Sequence, residues 1–230
     1  MIVVVGLGAY SATPDGLGSA AGPAVHVAAE AARRGATVEL VSKIGDDGAG
    51  EAVVLGLGRL GIGHAALLRD PARPTPMLVF EADGVDAEGG IEPGVADLAG
   101  LEADDSPVVT LLPSEPGERP GLEAGDVQLA LRYLAEARVV VVADRLSEAA
   151  LAAAVEGAQF ATARLVVLVP AGSVSPAVPP ETTVLEAPAA DDGSFGRVVG
   201  AFAAALDSGL DAEAAFGRAV ERSGWEAVAD

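Results

Sequence analysis

Residues 20–50 read AAGPAVHVAAEAARRGATVELVSKIGDDGAG. Pro23 and Gly35 bracket a run of small apolar residues, and proline just inside the start with glycine just past the end marks a helix over 23–34. TVELVSK (37–43) follows as a β-branched, apolar strand. Gly45 and Gly50 then punctuate a turn, where glycine serves backbone geometry and close packing, and a second helix runs from Gly50 to Leu60. Helix, strand and helix in so short a span imply βαβ units and a mainly parallel sheet.

The pattern extends in both directions. Strands are expected at 2–7, 37–43, 76–80, 107–112, 138–143, 164–169 and 182–187. RVVVVA (138–143) and RLVVLV (164–169) are continuous apolar runs, suited to strands buried on both faces. Further helices are expected at 126–136, at 147–160 with Ser147 as N-cap, at 195–206 and at 211–222. Residues 82–106 are rich in Gly, Asp and Glu and read as an irregular acidic excursion from one domain spanning 1–230. No internal repeat is visible.

Composition narrows the function. The chain has 230 residues, half of them apolar but only 3% aromatic, so its core is built from Ala, Val and Leu. There is no cysteine, which excludes disulfides and thiolate metal sites and fits a reducing cytoplasm. No apolar run approaches the ~20 residues of a membrane span, and MIVVVGLGAY reads as a first strand, not a leader. With 34 acids, 14 bases and a net charge of −20, the surface repels nucleic acid and anionic membranes. Lys43 is the one lysine, and from Glu81 to Glu118 there are eleven acids and no base. That charge run reads as a solvated face, with a cation site or basic partner as the alternative.

The stretch 20–50, with its glycine at 22, small-residue helix, strand and G-x-D-x-x-G at Gly45-Asp46-Asp47-Gly48-Ala49-Gly50, resembles the N-terminal signature of the ribokinase/PfkB carbohydrate kinases. The resemblance continues through Leu60-Gly61-Ile62, Pro74-Thr75 and 121–172, and GSFGRVVGAFAAALDSG (193–209) is similar to the family's terminal G-A-G-D helix. It implies a ribokinase-like α/β fold, a central mostly parallel sheet flanked by helices. Here the lid between first strand and glycine pair shrinks to about ten residues, Thr13 to Gly22. After Val184-Leu185-Glu186-Ala187-Pro188 the chain runs almost directly into the terminal motif, without the family's N-x-x-E segment and nucleotide-side strands. Lid and nucleotide side are therefore expected to be reduced.

In the family the glycine-rich turn holds the transferring phosphate at a helix N-terminus, and the aspartate ending the motif takes the proton of the attacking hydroxyl. Aligned on this sequence, that base position is Gly196, which cannot accept a proton. Gly193, Ser194 and Gly196 form a vestigial anion turn, with Phe195 replacing its last glycine. Asp191 and Asp192 lie just upstream, where they oppose a phosphate; they are also the fallback bases. Ser11 stands nearest the family's hydroxyl-binding aspartate, and His26 stands at its asparagine position. Ser11, Gly22, His26 and Asp46 are the weak ligand candidates.

Each has a blander reading. His26 packs among Ala and Val; Asp46 and Asp47 stabilise their turn; Ser194 N-caps the last helix. Arg197 is solvated or faces an anion, His64 lies on a surface edge segment, and Trp225 packs back or joins an interface. No Walker motif, metal cluster or nucleophile–base pair is readable. The expectation is a non-catalytic pseudokinase-like relative, cytoplasmic, acting as a binding or assembly subunit. It is expected to form a homo-oligomer or meet a protein partner, with a small-molecule ligand and without metal, cofactor, nucleic acid or membrane. The alternative is a minimal ATP- and Mg-dependent sugar or nucleoside kinase.

Overall fold

The computed structural model describes residues 1–12, 18–81, 108–188 and 193–223. The expected excursion at 82–106, Asp191, Asp192 and Trp225 lie outside them. In chain order the elements are β1 (Ile2–Val5), β2 (Ala9–Ser11), β3 (Ser19–Ala21), α1 (Pro23–Arg33), β4 (Val38–Gly45), α2 (Gly48–Arg59), β5 (Gly63–Asp70), β6 (Met77–Glu81) and β7 (Val108–Leu112). A short 3₁₀ turn (Pro116–Glu118) leads to α3 (Ala124–Tyr133), β8 (Val139–Val142), α4 (Glu148–Phe160), β9 (Arg164–Val169), β10 (Thr183–Glu186), α5 (Ser194–Asp207) and α6 (Ala212–Ser223).

Six strands form a parallel sheet in the order β10-β9-β8-β1-β4-β5. The chain builds outward from β1 through β4 to β5, then returns to β1's other side with β8, β9 and β10. The carboxyl ends of β1 and β8 therefore flank the point where strand order reverses, the place at which open α/β sheets form a crevice. Both faces are covered, which explains the unbroken valine runs. Ile2, Val4, Val139 and Val141 face α1, α2, α5 and α6, while Val3, Val5, Val140 and Val142 face α3 and α4.

With few aromatics, the core depends on close approach of helix backbones. Eleven of the fourteen residues of α5 are buried, and its glycines lie on α1. A β-carbon on Gly200 would stand 2.4 Å from the Val27 carbonyl oxygen and 2.8 Å from Glu30 Cβ. One on Gly196 would stand 2.8 Å from His26 Cβ, and one on Gly193 2.8 Å from His26 Nδ1. On its other side α5 holds α6 through Phe202, which meets Phe216 edge-on with centroids 6.1 Å apart at 76°.

A second, four-stranded sheet has the order β3-β2-β6-β7. Its three-residue strands β2 and β3, on either side of residues 13–17, pair antiparallel. β6 joins β2 in parallel and β7 joins β6 antiparallel, and these two strands flank the acidic stretch. The sheet sits close on α2, where a β-carbon on Gly56 would stand 2.7 Å from the Ala20 backbone nitrogen.

The seven expected strands and six expected helices are present within a few residues of their predicted ends. Three further strands, β2, β3 and β5, fall outside the expected set. His64 lies on β5, an edge strand of the large sheet, and is exposed as expected. Seven residues, 187–193, join edge strand β10 to α5, in accord with the reduced nucleotide side.

The seam between α1 and α5 makes opposite predictions for two glycines. Gly200→Ala meets backbone that cannot yield and is expected to lower unfolding free energy by about 1–3 kcal/mol. Gly58→Ala, on α2 with nothing within 4 Å of the added carbon, is expected to raise it by about 0.5–1 kcal/mol. Urea unfolding of both variants checks the pair, and a Gly200→Ala protein as stable as wild type contradicts the close approach.

Candidate functional site

Two places carry the chemistry: the start of α5 against α1, and the cleft at the carboxyl ends of β1, β4 and β8.

At the first, Gly193 takes a left-handed conformation (φ 86°) and is the N-cap of α5. This corrects the sequence reading of Ser194, which is the first helical residue and not the cap. The left-handed turn needs a residue without Cβ, so the cap falls on the glycine. The structure brings Gly22, His26, Gly193 and Gly196 together. Gly22 (φ 104°) caps α1, its carbonyl accepts from the His26 N–H at 3.0 Å, and His26 lies one turn on, under the α5 glycines. The first turn of α5 has no acid. Phe195 is buried and Arg197 exposed.

A transferring phosphate at this turn needs open backbone N–H groups and a carboxylate base beside it. Gly196 carries no carboxylate, and the place a β-carbon on Gly193 or Gly196 would take lies against the His26 side chain. Among the described residues of the turn, Gly193 to Gly196, none is an acid. At the far end of α1, Arg33 and Arg34 grip the buried Glu30 carboxylate at 2.6–2.8 Å.

The G-x-D-x-x-G segment is a structural joint. Asp47 N-caps α2, its Oδ1 accepting from Gly50 N–H at 2.8 Å and from the Thr75 hydroxyl at 2.6 Å, while Oδ2 accepts from Thr75 N–H at 2.8 Å. Gly45 N–H donates to Thr75 Oγ1 at 3.0 Å. A β-carbon on Gly45 would stand 2.5 Å from the Thr75 nitrogen, and one on Gly50 2.5 Å from the Gly45 oxygen. The spacing of the motif and the Pro74-Thr75 pair are thus two halves of one contact. Asp46 is exposed, with its backbone N–H on Asp70 O at 3.1 Å. Ser11 is buried in the small sheet, opposite Ser19.

The cleft is not among the sites expected from sequence. It encloses about 500 Å³ between Gly6 and Leu7 after β1, Ser42 and Lys43 on β4, Arg119–Leu122 before α3, and Asp144–Ser147 after β8. Ser42 Oγ accepts from Gly8 N–H at 2.7 Å, tying β4 to the end of β1. Lys43 Nζ meets Asp126 Oδ2 at 3.0 Å. Asp144 lines the cleft and keeps part of its surface exposed. Loss of hydration pushes its pKa above the ordinary aspartate value, against the opposing pull of the Arg145 and Leu7 backbones and the Arg119 guanidinium.

No family model and no curated protein matches the sequence. Solved structures do resemble the fold. The crystal structure of Sa239 aligns at a TM-score of 0.67, 14% identity, covering 99% of this chain and 95% of that one. A PfkB protein from Polaromonas sp. JS666 aligns at 0.65, 14% identity, covering 96% and 94%. Arabidopsis thaliana ribokinase, complexed with ribose and ATP, aligns at 0.64, 14% identity, covering 96% and 90%. These likenesses define the class: the chain has the ribokinase-like fold of the PfkB sugar kinases. Among the described residues no helix is long and apolar enough to cross a membrane.

Burial raises the Asp47 pKa, but the Thr75 and Gly50 hydrogen bonds and Arg69 outweigh it, and the folded-state value lies below the usual one. Its ionised form therefore contributes stability that is present above about pH 4 and lost as pH falls through the lower folded pKa. Asp47→Ala is expected to lower stability by about 1–2 kcal/mol from the cap alone. The gap between wild type and variant should narrow as pH falls from neutral into the acid range. A gap constant across that range contradicts the role.

Proposed function

We propose that this chain is a ribokinase-like protein without phosphotransferase activity, acting as a binding or assembly subunit. The observation that carries the reading is the seam at the start of α5: Gly196, which the sequence resemblance aligns with the base, has no side chain, and a β-carbon there would stand 2.8 Å from His26 Cβ. A base lost alone could be replaced by a neighbour. Here the missing base coincides with a phenylalanine at the last glycine of the turn and a direct run from β10 to α5, which supports loss of the whole reaction. The cleft at the sheet's crevice supports retained binding of a small molecule, since pockets of this size and position hold ligands in α/β folds. Exposed Leu129 and Tyr133, one turn apart on α3, are compatible with the assembly half of the reading.

The purified full chain, with Mg-ATP and a panel of sugars and nucleosides, is expected to release no ADP above the protein-free rate and to give no saturable heat with Mg-ATP up to millimolar concentration. Sustained turnover overturns the proposal. If that turnover disappears in the Asp191→Asn, Asp192→Asn double variant, the minimal-kinase alternative takes its place.

A further inference from the structure

The helical layer of α1, α5 and α6 has a cavity of its own. It encloses about 600 Å³, with Arg33 and Arg34 of α1, Arg218 of α6, and Ala201, Ala204 and Ala205 of α5 in its lining. α1 and α6 both pack on α5, so the alanines form an apolar floor and the arginines two walls. None of these residues lines the crevice at the carboxyl ends of the strands. The lining contains no acid, although the chain as a whole has 34 acids against 14 bases. In a protein of net charge −20, an anion is held only where local cations outweigh the long-range field.

On α1, the Glu30 carboxylate accepts from Arg33 Nε and Nη2, both at 2.8 Å, and from Arg34 Nε at 2.6 Å. Burial raises the Glu30 pKa, but the hydrogen bonds and charges of Arg33 and Arg34 outweigh it and hold it below its ordinary value. One ionised carboxylate thus balances one of two cations. Arg33 takes the forked contact. Arg34, its side chain mostly buried, keeps both Nη groups without a partner among the described residues. On α6, Arg218 is exposed and makes no hydrogen bond or ion pair among the described residues, although Glu221 lies one turn on. Each wall therefore carries one uncompensated guanidinium. The carboxyl ends of α1 and α5 close here, at Arg34 and Ser208. Their dipoles, about half a negative charge each, reduce the attraction without cancelling two full charges.

A planar guanidinium fork matches a carboxylate, as Arg33 shows on Glu30. One free fork on each side of a floor of methyl groups suits a ligand with a carboxylate at each end and an apolar middle. A compact dianion such as phosphate satisfies one wall and leaves the other, and the floor, unused. We propose that this cavity binds a small aliphatic dicarboxylate, with one carboxylate on Arg34, the other on Arg218, and its methylenes over Ala201, Ala204 and Ala205. The site is separate from the crevice and does not depend on whether the chain transfers phosphate.

The test is calorimetric titration of the full chain, without nucleotide, with succinate, acetate and inorganic phosphate. Succinate is expected to bind saturably, and about ten-fold or more tighter than either of the others, because only it engages both walls. Arg218→Gln, on an exposed side chain with no described contact to lose, should lower that affinity about ten-fold, the loss of one charge-assisted contact. Arg34→Gln should do the same; if it melts early through loss of its Glu30 contact, Arg218→Gln decides alone. Arg145→Gln, in the crevice, should bind succinate as wild type does. No saturable succinate binding up to millimolar concentration overturns the proposal. So does acetate or phosphate binding as tightly as succinate, or an Arg218→Gln protein that binds as wild type does. Succinate binding lost in Arg145→Gln and kept in Arg218→Gln places the ligand in the crevice and also overturns it. ADP release from Mg-ATP bears on the non-catalytic reading alone, so either proposal can fail without the other.

Discussion

Backbone-to-backbone approach of α5 on α1 is the constraint on which the rest of this structure depends. A core made of Ala and Val has little side-chain volume with which to fill gaps, so its helices must lie close. Gly193, Gly196 and Gly200 present a face without β-carbons, and His26, Val27 and Glu30 occupy the room this leaves. That face orients α5 over the sheet, and α5 in turn holds α6 through the Phe202–Phe216 contact. The same face leaves position 196, on which the proposed loss of phosphotransfer rests, without a side chain.

The two glycine-rich segments are held by different contacts. The Gly45-to-Gly50 segment keeps its form because Asp47, Thr75 and the α2 N-terminus satisfy one another, a structural demand that needs no ligand. At the α5 turn the left-handed Gly193 and the helix start lie directly on the His26 side chain. The crevice between β1 and β8 stays open, with Lys43, Arg119, Asp144 and Arg145 in its lining.

Much of this was legible in the sequence, for identifiable reasons. Valine runs such as 138–143 have no polar face and so declare a doubly covered strand; Pro23 and Gly35 declare both ends of α1. β2 and β3 escape because three residues are too few for a period to show. β5, GHAALLRD, escapes because its small and charged residues suit an edge strand, where one side of the ladder meets no partner. The loss at Gly196 is readable by position, but its occupant is not: His26 lies far away in sequence, and only the fold sets it beneath α5. Serine is a common N-cap, which favours Ser194 on sequence grounds, whereas the backbone turn requires the glycine before it. The cleft has a faint signal, the single lysine at 43, and the residues that complete it come from three separate segments.

The central claim is the proposed one, that the α5 turn, without a carboxylate at Gly196 and packed on His26, does not take a phosphate. Its most direct test is the amide nitrogen and proton shifts of Gly193, Ser194, Phe195 and Gly196 in the ¹⁵N-labelled protein as Mg-ATP is added. The seam predicts that these four resonances stay where they are to millimolar nucleotide. Saturable displacement of them, centred on the turn, would contradict it and restore the turn as a working phosphate site.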